Sequence, residues 1–130
     1  MLWILLSIFV LPKQERLSTY GVTDKTKSVL VVENNSAFYI RGVDIAGEVE
    51  EKWVNLILHG DKMAYTIPPG TYTLTVHYSS RKSAEDYAVY YVSNKISSQF
   101  SVIMNRVVIF SLDDGKNYAV TYHPPDLNKK

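Results

Sequence analysis

The sequence has no cysteine among its 130 residues. Disulfide bonds, thiolate catalysis and cysteine-ligated zinc or iron–sulfur centres are therefore excluded. The chain also has little net charge, formally +1 from 14 basic and 13 acidic residues that are interspersed along it. Because no basic stripe is available to a phosphate backbone, we do not expect nucleic acid as a partner.

Motifs for catalysis and cofactor binding are also missing. The chain has neither the G-x-x-x-x-G-K-[ST] nor the G-x-G-x-x-G pattern whose backbone amides hold phosphates, and no G-x-S-x-G frames a nucleophilic serine. The histidines do not have the spacing of a metal motif: they are His59, His77 and His123. We therefore predict no catalytic residue, no cofactor and no metal site.

Carboxylates occur in two clusters, one at Glu48, Glu50 and Glu51 and the other at Asp113-Asp114. A pair of acids hydrolyses glycosides only when it is held about 5 to 10 Å apart across a cleft, which a sequence does not show. Acids are ordinarily solvated, so we interpret both clusters as surface loops or turns.

The longest apolar run is LWILLSIFVL, residues 2–11, in which Ser7 is the one polar residue. Its length matches the apolar part of a signal peptide, about 7 to 15 residues, and falls short of the roughly 20 that cross a bilayer as a helix. An export signal or its remnant is the favoured interpretation, although no lysine or arginine precedes the run and no small-x-small cleavage site follows before residue 20. A buried strand of the fold is the alternative.

Chain length and composition indicate one folded domain, since 46% of the residues are apolar and 21% are charged. STYGVTDKTKS, which begins at Ser18, is polar and poor in large aliphatic side chains, so it is typical of a linker. We therefore divide the chain into a hydrophobic N-terminal segment 1–17, a linker 18–27, a β-sandwich domain 28–124 and a polar C-terminal tail 125–130.

The apolar residues of the domain repeat with a period of two, which indicates strands. VLVVE, residues 29–33, is continuously aliphatic until its last residue and predicts a central strand buried on both faces. In AFYIRGVDIAG the apolar parity switches at Gly42, which predicts a β-bulge there. EVEEKWVNLILHGDK is ambiguous between a short helical turn and a strand, and we favour strand or irregular structure.

TYTLTVHY has the cleanest alternation in the chain, with Tyr72, Leu74 and Val76 on one face and threonines on the other. This pattern predicts a strand that covers a core, and Pro68-Pro69-Gly70 before it predicts a rigid turn. SSRKSAED, residues 79–86, predicts a polar loop, and four further strands follow in YAVYYVS, SQFSVIM, RVVIFSL and YAVTYH. The fold class is therefore all-β, a single antiparallel β-sandwich of about eight short strands, immunoglobulin-like or transthyretin-like.

VDIAG, YTIPPGTYTLTVHY and FSLDDGKNYAVTYH occur in this order between residues 43 and 123, within a region of likeness that covers about residues 29–123. The arrangement resembles the small β-sandwich domains of bacterial exported proteins and lipoproteins, in which an IDG-like strand, a PPGTYTL-like hairpin and a closing GK.Y.V hairpin recur. The resemblance implies an envelope or secreted setting and no catalytic residue. The lipidated cysteine of the lipoproteins is absent here.

Aromatic side chains are the remaining candidates for a binding site, since the chain has ten tyrosines, four phenylalanines and two tryptophans. Tyr87, Tyr90 and Tyr91 fall on both parities of one predicted strand, so at least one ring should point away from the core. Such a ring offers a large contact to a partner or a sugar. The alternative is that these tyrosines fill the core, with their hydroxyl groups at its rim.

Three functions follow from these observations. The preferred one is a non-enzymatic exported module, periplasmic or extracellular, with a structural or protein-binding role at the cell envelope; a cytoplasmic location stays open. A carbohydrate-binding module is the second, and it requires a planar row of exposed aromatic rings on one sheet face. A hydrolase that uses the acidic loops with His59 or His77 is the third. We expect a protein partner or an envelope component, and contact with a membrane only through the N-terminal segment.

Overall fold

Two four-stranded sheets make up most of the computed structural model, which describes residues 15–54, 56–83, 89–113 and 119–126. Sheet I has the strand order β4-β1-β7-β8, and sheet II has the order β3-β2-β5-β6. The strands of this described part are β1 Ser28–Asn35, β2 Tyr39–Gly47, β3 Glu50–Trp53, β4 Lys62–Ile67, β5 Gly70–Ser83, β6 Val89–Val102, β7 Val107–Asp113 and β8 Ala119–His123. The predicted all-β class is confirmed.

One strand pair departs from the antiparallel prediction, because β1 and β7 run parallel from Val29 opposite Val107 to Asn35 opposite Asp113. All other neighbouring strands in the two sheets are antiparallel. A parallel pair needs a long connection that returns the chain to the same end of the sheet. Here the connection between β1 and β7 contains β4 and all of sheet II. The apolar period within one strand does not indicate a pairing between such distant strands, so the parallel pair was not predicted.

A single apolar core fills the space between the sheets. Sheet I contributes Leu30 and Phe110, and sheet II contributes Leu74, Val76 and Phe100, all of them buried. β1 is buried on its other face too, where Val29 and Val31 lie in a second, smaller cluster. The prediction of a central strand at residues 29–33 is therefore confirmed, since β1 also lies between β4 and β7.

The predicted bulge in β2 is confirmed. Ile40 lies opposite Tyr78 and Gly42 lies opposite His77, so Arg41 is the extra residue of the bulged strand. Because the bulge reverses the parity, Ile40 and Val43 both reach the core although they are three residues apart.

β5 has the two faces that its alternation predicts. Tyr72, Leu74 and Val76 are no more than 1% exposed, whereas Thr71 is exposed and Thr75 is half-exposed. The face that carries the apolar side chains therefore packs on the core, and the threonine face is directed to solvent.

The predicted polar loop 79–86 is wrong in its first half, because β5 continues to Ser83. YAVYYVS and SQFSVIM were predicted as two strands, yet Val89–Val102 is one strand that pairs with β5 from Ser83 opposite Val89 to Gly70 opposite Val102. Paired strands satisfy their backbone amides whatever side chains they carry, so serine-rich stretches did not end this hairpin. Residues 84–88 lie outside the described residues.

The segment before β1 lies against the outer face of sheet I. A 3₁₀ helix, Leu17–Tyr20, buries Leu17 against Val29 and Ile109, and Val22 also packs on this cluster. The polar segment 18–27, for which composition predicted a linker, is therefore partly packed on the sheet. The apolar run 2–11 lies outside the described residues, as do residues 127–130.

Candidate functional site

Of the predicted contact residues, Tyr87 lies outside the described residues. Tyr90 and Tyr91 belong to β6, where they pair with Lys82 and Arg81 of β5, but their side chains are outside the described part. A partner-binding role for these three tyrosines stays a prediction.

The aromatic side chains that are described lie mostly in or beside the core. Trp53 at the end of β3 stacks on Tyr65 of β4 with 3.9 Å between ring centroids, and Tyr72 stacks on Phe100 at 5.6 Å. Among the described aromatic side chains, Tyr122 is the most exposed, with 48% of its surface accessible to solvent. Within this part of the chain there is therefore no planar row of exposed rings of the kind that a sugar-binding face requires.

The three histidines lie in separate places. His59 donates from Nδ1 to the Ser36 carbonyl oxygen at 3.0 Å, and His123 accepts from the Glu15 amide through Nδ1 at 3.4 Å. His77 is on the outer face of sheet II. No three histidine, aspartate or glutamate side chains among the described residues form a group that could hold a metal ion.

His77 and Asp44 form a pair that the sequence analysis did not identify, with His77 Nε2 2.8 Å from Asp44 Oδ2. The two side chains are 43% and 36% exposed, so water screens their attraction. The hydrolase hypothesis, the least favoured of the three, used an acid of the two acidic clusters with His59 or His77, whereas the acid beside His77 is Asp44 of β2. The pairing follows from the β2–β5 register, which no spacing within either strand indicates.

The turn before β5 is filled by the protein's own side chains. Gly70 has a φ of 153°, and the Glu48 side chain occupies the space where a Cβ of residue 70 would lie. The Tyr72 hydroxyl donates to the Pro68 carbonyl oxygen at 2.5 Å, and burial, with Glu48 nearby, raises the pKa of this hydroxyl. Pro68-Pro69-Gly70 is therefore a structural turn that closes over Tyr72.

Three exposed aliphatic side chains follow β3, on a stretch we name the edge segment, residues 54 and 56–58. Val54 is 90% exposed, Leu56 is 59% exposed and Leu58 is 41% exposed, whereas Ile57 is buried at 1%. The sequence left this apolar run ambiguous between a helical turn and a strand. In the structure β3 ends at Trp53, and the chain then pairs with β2 again through an isolated bridge between Ile57 and Ile40. One side of the segment therefore anchors it while aliphatic side chains face solvent.

The anchor of the edge segment is Asn34, near the end of β1 and fully buried. Its carboxamide donates to the carbonyl oxygens of Phe38 at 2.8 Å and Ile57 at 2.9 Å. Its Oδ1 accepts from the Ser36 amide at 2.9 Å and from the Ser36 hydroxyl at 2.6 Å. The sequence suggested only a turn at Asn34-Asn35, but the structure makes Asn34 the bridge between β1 and the edge segment.

A second exposed apolar surface lies in the turn between β6 and β7. Ile103 is 62% exposed and Met104 is 55% exposed. Tyr122 of β8, 48% exposed, donates its hydroxyl to the carbonyl oxygen of Ser101, two residues before Ile103, at 2.9 Å. We name these three side chains the turn surface.

The two apolar surfaces lie at opposite ends of β1. Ser28, the first residue of β1, donates to the Ile103 carbonyl oxygen, whereas Asn34 donates to that of Ile57. Six residue steps in a strand cover about 20 Å, so the turn surface and the edge segment are separated by the length of the sandwich.

Comparison of the chain with models of protein families, with curated proteins and with solved structures finds no match. Within the described residues there is no helix with the length and apolar character needed to cross a membrane.

Proposed function

We propose that this protein is a non-enzymatic, exported β-sandwich module of immunoglobulin-like or transthyretin-like type that binds a protein partner at the cell envelope. The observation that carries the proposal is the edge segment, in which Val54, Leu56 and Leu58 are exposed while Ile57 is buried. The likeness of the PPGTYTL and GKNYAV motifs to those of exported sandwich domains supports the envelope setting.

The chemistry of the edge segment favours a protein surface over a sugar. Aliphatic side chains offer no planar ring for stacking on a pyranose, whereas they match the apolar centre of a protein interface. Contiguous exposed apolar patches on soluble proteins frequently mark contact sites. The edge segment thus supports a partner with its own apolar surface.

Rigidity strengthens this assignment. The Asn34 carboxamide donates to the Ile57 carbonyl oxygen at 2.9 Å, and the amides of Ile40 and Ile57 donate to each other's carbonyl oxygens at 3.1 and 2.9 Å respectively. These bonds fix the edge segment at Ile57 before any partner arrives. A preorganised contact loses less conformational entropy on binding than a mobile loop.

Site-specific photo-crosslinking tests the proposal. p-Benzoylphenylalanine placed at Leu56 should give an adduct with another protein when cells that naturally make this chain are irradiated. The same group at Thr75, on the polar outer face of sheet II, is the matched control and should give none. Adding Val54→Ser and Leu58→Ser to the Leu56 variant should abolish the adduct. Equal adducts at both positions, or none at Leu56, would contradict the proposal; an adduct of twice the chain's mass would identify a second copy as the partner.

A further inference from the structure

The backbone of Leu56 faces away from the rest of the sheet. Its neighbour Ile57 directs both backbone groups to β2: the Ile57 amide donates to the Ile40 carbonyl oxygen at 2.9 Å, and the Ile57 carbonyl oxygen accepts from the Ile40 amide at 3.1 Å. Successive residues of an extended chain direct their amide and carbonyl groups to opposite edges. The Leu56 amide and carbonyl oxygen therefore face outward, and neither has a hydrogen-bond partner among the described residues.

A turn closes one end of this outward edge. The Leu58 carbonyl oxygen accepts from the Asp61 amide at 2.9 Å, and the Gly60 amide donates to the Asn34 carbonyl oxygen of β1 at 2.7 Å. The Asn34 amide in turn donates to the Asp61 carbonyl oxygen at 3.0 Å. The chain leaves the edge after Leu58, so the edge that another strand can reach is short and lies at Leu56.

The side chains at this edge lack the charges that normally discourage strand pairing. β3, with the sequence EEKW, has three charged residues, whereas Val54, Leu56 and Leu58 after it are aliphatic and exposed. Ile57 is directed to the core and is 1% exposed. A strand that pairs at Leu56 therefore meets apolar side chains as well as unpaired backbone groups.

This arrangement is complementary to itself. In an antiparallel sheet, two directly opposite residues can exchange both of their amide-to-carbonyl hydrogen bonds. A two-fold axis at Leu56 places this residue opposite its own copy, so one symmetric contact pairs all four backbone groups. It also sets Val54 of one copy beside Leu58 of the other, and aliphatic side chains meet aliphatic side chains. Contacts in which the same patch serves both copies are the most common kind in homo-oligomers.

We infer that the protein forms a two-fold dimer in which the edge segments of two copies pair antiparallel at Leu56 and join both copies of sheet II into one continuous sheet. This inference rests on the proposed function and deepens it, because it names a second copy as the protein partner of the edge segment. Two hydrogen bonds and a few aliphatic side chains make a small interface, so the dissociation constant should be on the order of 100 µM.

Sedimentation equilibrium of the full-length chain tests the dimer. The average mass should rise from one copy towards two as the concentration increases from about 10 µM to about 1 mM. Leu56→Lys should abolish the rise, because each copy then brings a charge to the apolar contact. Ile103→Lys is the matched control: Ile103 is 62% exposed against 59% for Leu56, but it lies on the turn surface, so this variant should still dimerise. A constant mass of one copy, or a rise that Leu56→Lys does not reduce, would overturn the inference.

Disulfide formation tests the register of the pair. Because the sequence has no cysteine, Leu56→Cys and Leu58→Cys each carry a single thiol. Directly opposite residues of a hydrogen-bonded pair have Cα atoms about 5.5 Å apart, which a disulfide can bridge. The two copies of residue 58 lie four residue steps apart, about 14 Å along the strands. Mild oxidation should therefore link Leu56→Cys at least about tenfold faster than Leu58→Cys.

Equal rates of oxidation would overturn the pairing at Leu56. If the chain stays monomeric while the photo-crosslinker at Leu56 forms an adduct with a different protein, the second copy is the wrong partner and the proposed function stands. If no adduct forms at Leu56 in cells, the proposed function itself is contradicted.

Discussion

Asn34 and Ile57 are joined by a hydrogen bond of 2.9 Å from the Asn34 carboxamide to the Ile57 carbonyl oxygen, and both residues are almost completely buried. The bond crosses from the centre of sheet I to the edge segment beside sheet II. A polar side chain in the core is tolerated here because each described hydrogen bond of Asn34 goes to a buried partner or a backbone carbonyl. The two sheets are thus connected by a specific polar contact as well as by apolar packing.

Replacement of Asn34 should therefore destabilise the protein. Asn34→Ala removes the bonds to the Phe38 and Ile57 carbonyl oxygens and should lower the free energy of unfolding by about 2 to 3 kcal/mol. Asn35→Ala is the matched control: the neighbouring side chain is exposed and bonds only to Glu33 at 3.2 Å, so its effect should stay below about 0.5 kcal/mol. Urea denaturation measures both, and equal midpoints for the two variants would refute the role given to Asn34.

The two faces of β5 should differ sharply in sensitivity. Leu74→Ala leaves a cavity in the core and should cost about 2 to 5 kcal/mol, because this side chain is 1% exposed. Thr75→Ala removes only a solvent-side bond to Ser97 Oγ at 2.9 Å and should be near neutral. Thermal melts of the two variants rank them, and the reverse order would show that the faces are wrongly assigned.

Gly70 should resist substitution for two reasons. A φ of 153° disfavours any side chain, and the Glu48 side chain occupies the position of the new Cβ, so Gly70→Ala should cost about 1 to 3 kcal/mol. Gly60→Ala is the control: its φ is 85° but nothing lies within 4 Å, so only the backbone cost of about 1 kcal/mol applies. Adding Glu48→Ala to Gly70→Ala should recover part of the loss in urea denaturation. No recovery would place the cost in the backbone alone.

Alkaline pH should weaken the attachment of the segment before β1. Burial, then the hydrogen bond to Glu15, raise the pKa of Tyr20 well above its ordinary value of 10.0. Since the folded state favours the neutral phenol, its stabilising contribution is complete below pH about 10 and is lost as the pH rises further. The difference in unfolding free energy between the natural chain and Tyr20→Phe should therefore shrink as the pH rises from about 10 to about 12. Urea denaturation across this range measures it; a constant difference would contradict the coupling of Tyr20 to Glu15.

Periodicity was sufficient for the strands that have one apolar and one polar face or two buried faces. It predicted β1, the bulge in β2 and the faces of β5, because each depends on which side chains meet the core. It failed for β6, where residues 94–97 separated the two predicted strands although β5 supplies the backbone partners. Local composition reports the preference of each side chain for strand or turn, whereas the length of β6 is set by its backbone pairing with β5.

The features of the candidate sites depended on contacts between distant residues and could not be predicted. Asp44 and His77 are brought together by a register that includes the bulge, and Asn34 reaches Ile57 across 23 positions of sequence. The edge segment lies in the apolar run after Glu51, which composition alone would bury. Leu56 is exposed in the structure because β3 ends at Trp53 and the run does not continue as a strand of the sheet.

The central claim is that the edge segment contacts a protein partner. The most direct measurement is photo-crosslinking in intact cells with p-benzoylphenylalanine at Leu56 in one variant and at Thr75 in another. The account predicts a protein adduct from residue 56 and none from residue 75, which lies on the polar outer face of sheet II. A protein adduct from residue 75, with none from residue 56, would contradict it.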